Sequence, residues 1–361
     1  MADGDIMLIE EFESAIEWQA EHAFENGAKC TARVIRSLPK VRETDTQMGR
    51  RMASWAGLTL KDAMPLRVTG GLHHLALTGK DRRLLPVYAG EITDQGEVDA
   101  IVLDMVMQHD KELAPWLDGP PQTNEAGRSA SIMAGLLWLA QRVVPRFELF
   151  ELGASAGVNT MLDRYHFKLG ETKVGPADSP MQISPEWRGT GSPPAPPHEF
   201  EIVDVRGCDV APINLADPES ALRLKAYVWP DAPARMERID AAIALASANP
   251  PNLMQIDAGE FVREILAWPR RPGATRAMFH SIMWQYMPAE TQDAISSMFD
   301  EAGSRATPEM PLAWVSLETD PATFRHELKV RYWDGGAHDS ETALLAHAHP
   351  HGAWVEWGGG K

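Results

Sequence analysis

Phe147-Glu148-Leu149-Phe150-Glu151-Leu152 runs directly into Gly153-Ala154-Ser155-Ala156-Gly157, and the chain continues as Val158 to Tyr165. A short apolar run, closed by a turn of small residues and reopened by helix-spaced apolar residues, reads as strand, tight turn, helix. Glycines in such a turn let a ligand approach the backbone, and a helix start offers free N–H groups with a partial positive charge. An anionic or zwitterionic ligand is the expectation there, beside the acidic Glu151 at the end of the strand.

Working downstream, Phe200 to Val205, Leu253 to Ile256, Ala277 to Ile282 and Leu312 to Leu317 are further strand candidates. Pro218 to Tyr227 and Ala234 to Ala248 read as helices among them. Strands alternating with helices imply a parallel sheet in a doubly wound α/β domain. Phe324 to Trp333 and Ala353 to Trp357 read as antiparallel strands at one edge, and the prolines of Gly189 to Pro197 as an exposed insertion. Upstream, from about Glu10 to Val144, apolar residues recur at three and four residue spacing, the helical period. Thr123 or Asn124 is the expected cap of a helix ending near Arg142, with Glu125 in its first turn. Gly70-Gly71-Leu72-His73-His74 reads as a helix junction. The organisation expected is an all-helical region over 1–146 and an α/β domain over 147–361.

The 361 residues carry 44% apolar and 24% charged side chains, enough for a full core and too few charges for wholesale disorder. A net charge of −17 repels phosphate backbones and anionic lipid, so no nucleic-acid or membrane partner is expected. Cys30 and Cys208 form neither a disulfide framework nor a CxxC pair, and the acidic start at Glu10, Glu11 and Glu13 is unlike a secretory signal. A cytoplasmic protein is expected.

Glu151 followed by Gly153, Ser155 and Gly157 resembles the first motif of class I S-adenosylmethionine-dependent methyltransferases, an acid followed by G-x-G-x-G, with Ser155 in place of the middle glycine. The resemblance implies a methyltransferase-like Rossmann fold, with S-adenosylmethionine as cofactor. Asp209, after the second strand, takes the place of the acid for the ribose hydroxyls. Asp257 takes that of the acid for the adenine amino group, or simply caps the helix Phe261 to Trp268. His280, at the end of the next strand, is the candidate general base, with Tyr286 beyond it on the substrate side. The Asn or Asp followed by two prolines, common in amino methyltransferases, is absent. The same turn also spells G-x-S-x-G, the nucleophile elbow of serine hydrolases, which would make Ser155 a nucleophile. That alternative lacks upstream strands to carry an oxyanion loop. A non-catalytic small-molecule-binding protein is the third reading. Among His338, Asp339, His347, His349 and His351 no four-ligand metal spacing is present, and no metal is expected.

Several segments together resemble an uncharacterised bacterial family, a domain of unknown function: Gln122-Thr123-Asn124-Glu125 with Arg128, Glu151 to Asn159 with Asp163-Arg164-Tyr165, Arg206 to Asp209 with Pro212, Val228-Trp229-Pro230-Asp231, and His280-Ser281. This resemblance implies that Gln122, Asn124 and Arg128 cover the mouth of the pocket and that Arg128 holds a substrate carboxylate.

Overall fold

The computed structural model describes residues 9–119, 121–336 and 340–360. The chain forms two compact units, one of Met1–Thr123 with Asp217–Asp240 and one of Asn124–Ala216 with Ala241–Lys361. The unit boundary therefore falls at 123/124 rather than at 146, and a later segment joins the helical unit.

The first unit is helical. Its core gathers Ile16, Ile35 and Leu38 with Val68, Leu72, Val102 and Met105, spaced so that each helix turns one apolar stripe inward. The Val228-Trp229-Pro230-Asp231 segment has a structural role here. Asp231 accepts from the Cys30 and Thr31 N–H groups (2.6 and 3.3 Å) and from Thr31 Oγ1 (2.5 Å), capping the helix Lys29–Arg36. Gly70 and Gly71 are not a junction but lie inside the helix Met64–Leu77. A Cβ on Gly70 would stand 2.8 Å from the Tyr227 ring, and one on Gly71 3.0 Å from Leu113 and Trp116, so bare backbone is what lets these side chains lie against the helix.

The second unit is built on a nine-stranded sheet. In chain order its strands are β1 (Arg146–Leu152), β5 (Glu186–Gly189), β6 (Glu201–Asp209), β7 (Leu253–Gln255), β8 (Thr275–Ser281), β9 (Leu312–Thr319), β10 (His326–Trp333), β11 (Ala343–Ala348) and β12 (Trp354–Trp357). Between β1 and β5 the chain adds β2 (His166–Leu169), β3 (Thr172–Val174) and β4 (Gln182–Ile183), which form a separate three-stranded sheet. Across the large sheet the order is β5-β12-β11-β10-β9-β8-β1-β6-β7, parallel from β7 to β9. Counted in chain order, the five parallel strands lie 3-2-1-4-5, the order of a doubly wound sheet, with its reversal between β1 and β8.

The antiparallel edge holds more than the two expected strands. β11 lies between β10 and β12, and β5 closes the edge in parallel with β12. Helix Ser129–Leu139, buried along its whole length, packs on β9, β10 and β11. Phe150, Phe261, Met278, Phe299 and Trp314 form a core cluster with the helices Ala258–Ala267 and Ala289–Gly303. The proline segment is packed rather than fully exposed: Pro193 is buried and its carbonyl accepts from Thr172 Oγ1 at 2.6 Å. Among the described residues no helix is long and apolar enough to cross a membrane.

Candidate functional site

The carboxyl ends of β1, β6 and β8 meet where the strand order reverses, the position at which open α/β sheets bind ligands. Glu151 is in register with Gly207 of β6 and Phe279 of β8, which places its carboxylate at that point. The residue is 1% exposed. Its Oε2 has no hydrogen-bond partner. Burial pushes its pKa well above the ordinary carboxylate value; the Asn159 amide and the Arg128 charge oppose this, and Asp209 adds to it.

The turn after β1 is held by its own amides. Ala154 N–H donates to the Cys208 carbonyl (2.9 Å), Ser155 N–H to Asp209 Oδ2 (2.8 Å), Gly157 N–H to the Ala154 carbonyl (2.7 Å) and Val158 N–H to Asn124 Oδ1 (2.8 Å). Asn124 therefore caps this turn, and not the following α-helix, which starts at Ser129 behind a short 3-10 turn. Gly153 and Gly157 have φ of +64° and +71°, and Ser155 stands at +52°, in the left-handed region that favours glycine. A Cβ on Gly153 would lie 2.9 Å from Met283, and one on Gly157 2.7 Å from Pro251. The residues beyond form a 3-10 helix, Asn159–Arg164, instead of a longer α-helix.

With those four amides committed, the turn is not the free anion cradle expected from the sequence. Its unpartnered buried atoms are oxygens: Glu151 Oε2, Ser155 Oγ and Asn159 Oδ1. An acceptor-rich site of this kind calls for a ligand that brings donors, above all a cationic one. Ser155 Oγ has no imidazole bonded to it, so the serine lacks the base that nucleophilic attack requires.

Asp209 spends both carboxylate oxygens on backbone, Oδ2 on Ser155 and Oδ1 on Ala211 N–H (2.9 Å). It shapes the turn. Asp257 caps the helix Ala258–Ala267, its Oδ1 accepting from Gly259 N–H at 2.8 Å. Arg128 donates to the carbonyls of Pro350 (2.8 Å) and Ser281 (3.3 Å), tying the end of β8 to the turn before β12, and its charge also acts on the Glu151 carboxylate. Gln122 belongs to the first unit and Asn124 opens the second. Tyr286 is 76% exposed.

His280 is not placed as a base. Its Nε2 accepts from the Trp314 indole N–H (2.8 Å), and an indole nitrogen can only donate, so the ring carries its proton on Nδ1. That proton goes to Glu318 Oε1 (2.7 Å), which also accepts from Met283 N–H (3.1 Å). Both ring nitrogens are occupied, and the Trp284 indole stacks on the imidazole at 4.8 Å. His280 thus helps fix the Met283 segment that packs on Gly153. Asn159, Trp314, Glu318 and Met283 are site residues that the sequence reading missed. Trp314 and Glu318 flank Ser316, the register partner of His280, at the strand period of two, the one signal that could have found them.

His338 and Asp339 lie outside the described residues. His349 Nδ1 accepts from His351 N–H (3.1 Å), and among the described residues no cluster of three His, Cys, Asp or Glu side chains is placed to hold a metal ion.

The Glu151 shift has a measurable consequence. An acid whose pKa is higher folded than unfolded binds more protons in the native state, so its contribution to stability is complete below the unfolded value near ~4.3 and is lost as pH rises toward the folded one. Glu151→Gln removes that loss. Relative to wild type, the variant is expected to gain stability with rising pH above ~4.3, by at most about 1.4 kcal/mol per pH unit. Urea midpoints of both proteins across this range provide the measurement, and parallel curves would contradict it.

No curated protein and no solved structure matches the chain. One family model does, over residues 13–357, and the protein belongs to that family, described as an uncharacterized protein conserved in bacteria (DUF2332).

Proposed function

We propose that this protein is an S-adenosylmethionine-dependent methyltransferase acting on a small molecule, with the ligand held where β1 and β8 diverge. The observation that carries the reading is Glu151, a buried carboxylate at the end of the first parallel strand with one oxygen unpartnered. Such an atom costs roughly 1–3 kcal/mol or more while it lacks a donor, and a ligand ammonium would supply a charge-assisted one. The 3-2-1-4-5 strand order and the positive φ of Gly153 and Gly157 support the same reading.

Glu151, Ser155 and Asn159 would hold the amino end of the cofactor, and Asp257 would meet its neutral amino edge. Bound there, the cofactor supplies an electrophilic methyl group. The protein's own work is positioning, since methyl transfer needs in-line alignment more than proton transfer. His280 and Glu318 serve that alignment by fixing the Met283 N–H, and Asp209 by fixing the turn.

S-adenosylmethionine or its demethylated product is expected to raise the melting temperature. At about a hundredfold excess over Kd the gain is about 2.7 kcal/mol, or roughly 5–10 °C for a unit of this size. Glu151→Gln is expected to remove most of the shift, corresponding to roughly tenfold or greater weakening. An unshifted wild type at millimolar ligand, or an equal shift in the variant, would overturn the proposal.

A further inference from the structure

The connection from β1 to β6 is where this sheet departs from its class. A parallel crossover normally lays an α-helix on the sheet face. Here the chain supplies only the six-residue 3-10 helix Asn159–Arg164 and the short strands β2 to β4 before it reaches β5 at the far edge. Two cavities lie along the lightly covered stretch. One, of about 530 Å³, is lined by Met133, Leu162, Val174, Pro196, Phe200 and Ile202, with Asp163 and Lys173 as its charged groups. The other, of about 230 Å³, is more polar and includes Thr160, Arg164, Asp204 and Asn252. Asp163 and Ile202 line both, so the Asp163 carboxylate stands at their junction. The larger volume falls within the ~300–1,000 Å³ typical of small-molecule sites. Ile202 is seven residues before Asp209 on β6, about 23 Å along the strand, so the larger cavity lies toward the other end of β6 from Asp209, while the smaller one reaches Thr160, Val205 and Pro251 beside the Gly157 turn.

The charges choose the ligand. Asp204 is paired with Arg206 at 2.8 Å, whereas Asp163 faces a loose ion pair, 3.9 Å to Arg164 Nε, and Arg164 already donates to the Asn249 carbonyl. Asp163 keeps 39% of its side chain open to the cavity and solvent. Lys173, the other charged residue of the larger cavity's lining, is exposed, and an exposed ammonium is largely screened by water. A net charge of −17 further disfavours an anionic guest.

We propose that this cavity is a second ligand site, for a small primary amine with an aromatic or short hydrocarbon body, the body lying against Leu162, Phe200 and Ile202 and the ammonium on Asp163. The apolar wall gives up water to the body, and the carboxylate selects the sign of the head group.

Phenethylamine and phenylpropanoate, near-isosteric and opposite in charge, test it on the full-length protein by calorimetry and thermal shift. The amine is expected to bind and to raise the melting temperature, and the acid to bind at least roughly tenfold more weakly. Asp163→Asn, a change at a partly exposed site, is expected to weaken the amine by about tenfold or more, while Asp163→Glu retains it. Glu151→Gln should leave amine binding unchanged, so this site and the adenosyl site fail independently. Equal binding of acid and amine, an Asp163→Asn protein that binds as wild type, or no heat with either compound at about 10 mM would overturn the proposal.

Discussion

Arg276→Met is expected to lower the melting temperature of the second unit by roughly 6–20 °C. Arg276 lies on β8, is 2% exposed, and is answered almost wholly by backbone: Nη1 by the carbonyls of Ile265 and Trp268 (3.1 Å for the latter) and Nη2 by Pro269 (2.8 Å). Nη2 also meets Glu148 Oε2 of β1 at 3.3 Å, and Glu148 is itself buried. Removing the guanidinium strands a buried carboxylate and unpairs carbonyls at the end of helix Ala258–Ala267. Breaking a buried pair from one side costs about 3–5 kcal/mol, and each kcal/mol moves the midpoint by about 2–4 °C in a unit of this size. Arg271, 3.4 Å from Glu148 and half exposed, offsets part of the loss. The double variant Glu148→Leu with Arg276→Met should recover much of it, because no unpaired charge remains. Thermal melts followed by circular dichroism decide the matter: a single variant within about 2 °C of wild type would show the pair to be dispensable.

Gly352→Ala is expected to destabilise by about 2–5 kcal/mol, combining a left-handed backbone with overpacking. Gly352 has φ of +72°, and a Cβ there would stand 2.3 Å from the Gly127 carbonyl carbon and 2.4 Å from its Cα. The obstacle is backbone, with no flexible side chain to move aside. The contact is reciprocal, since a Cβ on Gly127 would lie 2.5 Å from the His351 carbonyl oxygen. Together with the Arg128 bonds it clamps the start of the buried helix Ser129–Leu139 to the turn before β12. Gly273 supplies the control. Its φ is also +72°, but nothing lies within 4 Å of where a Cβ would go. Gly273→Ala should therefore cost only the ~1–2 kcal/mol of the conformation itself. Equal melting temperatures for the two variants would remove the packing argument.

The strand from Arg146 to Leu152, the glycine turn behind it and the parallel strands downstream were legible because each rests on local pattern. The expected strands at Phe200, Leu253, Ala277 and Leu312 all appear, with bounds shifted by a few residues. Asp257 as a helix cap was legible for the same reason, as the cap and the amides it satisfies are neighbours. The small sheet of β2 to β4 was not, because strands of two to four residues carry too few side chains to display a period. Nor was β5, whose partner β12 lies about 170 residues further along the chain.

At the site, residue types and spacing alone show that a small-residue turn follows a strand ending in Glu151, and that His280 and Asp209 stand at strand ends in the same domain. Residue types and spacing reach that far, since they report on the backbone's local period and turns. What those side chains do emerges from long-range packing: Asp209 and Asn124 bind the amides of the turn, Trp314 and Glu318 occupy both nitrogens of His280, and Glu151 keeps an oxygen with no donor. The same packing brings Asp217–Asp240 into the helical unit. The physical reason is that a buried polar group is defined by its partners, and those partners come from strands and turns tens to hundreds of residues away, brought together by packing.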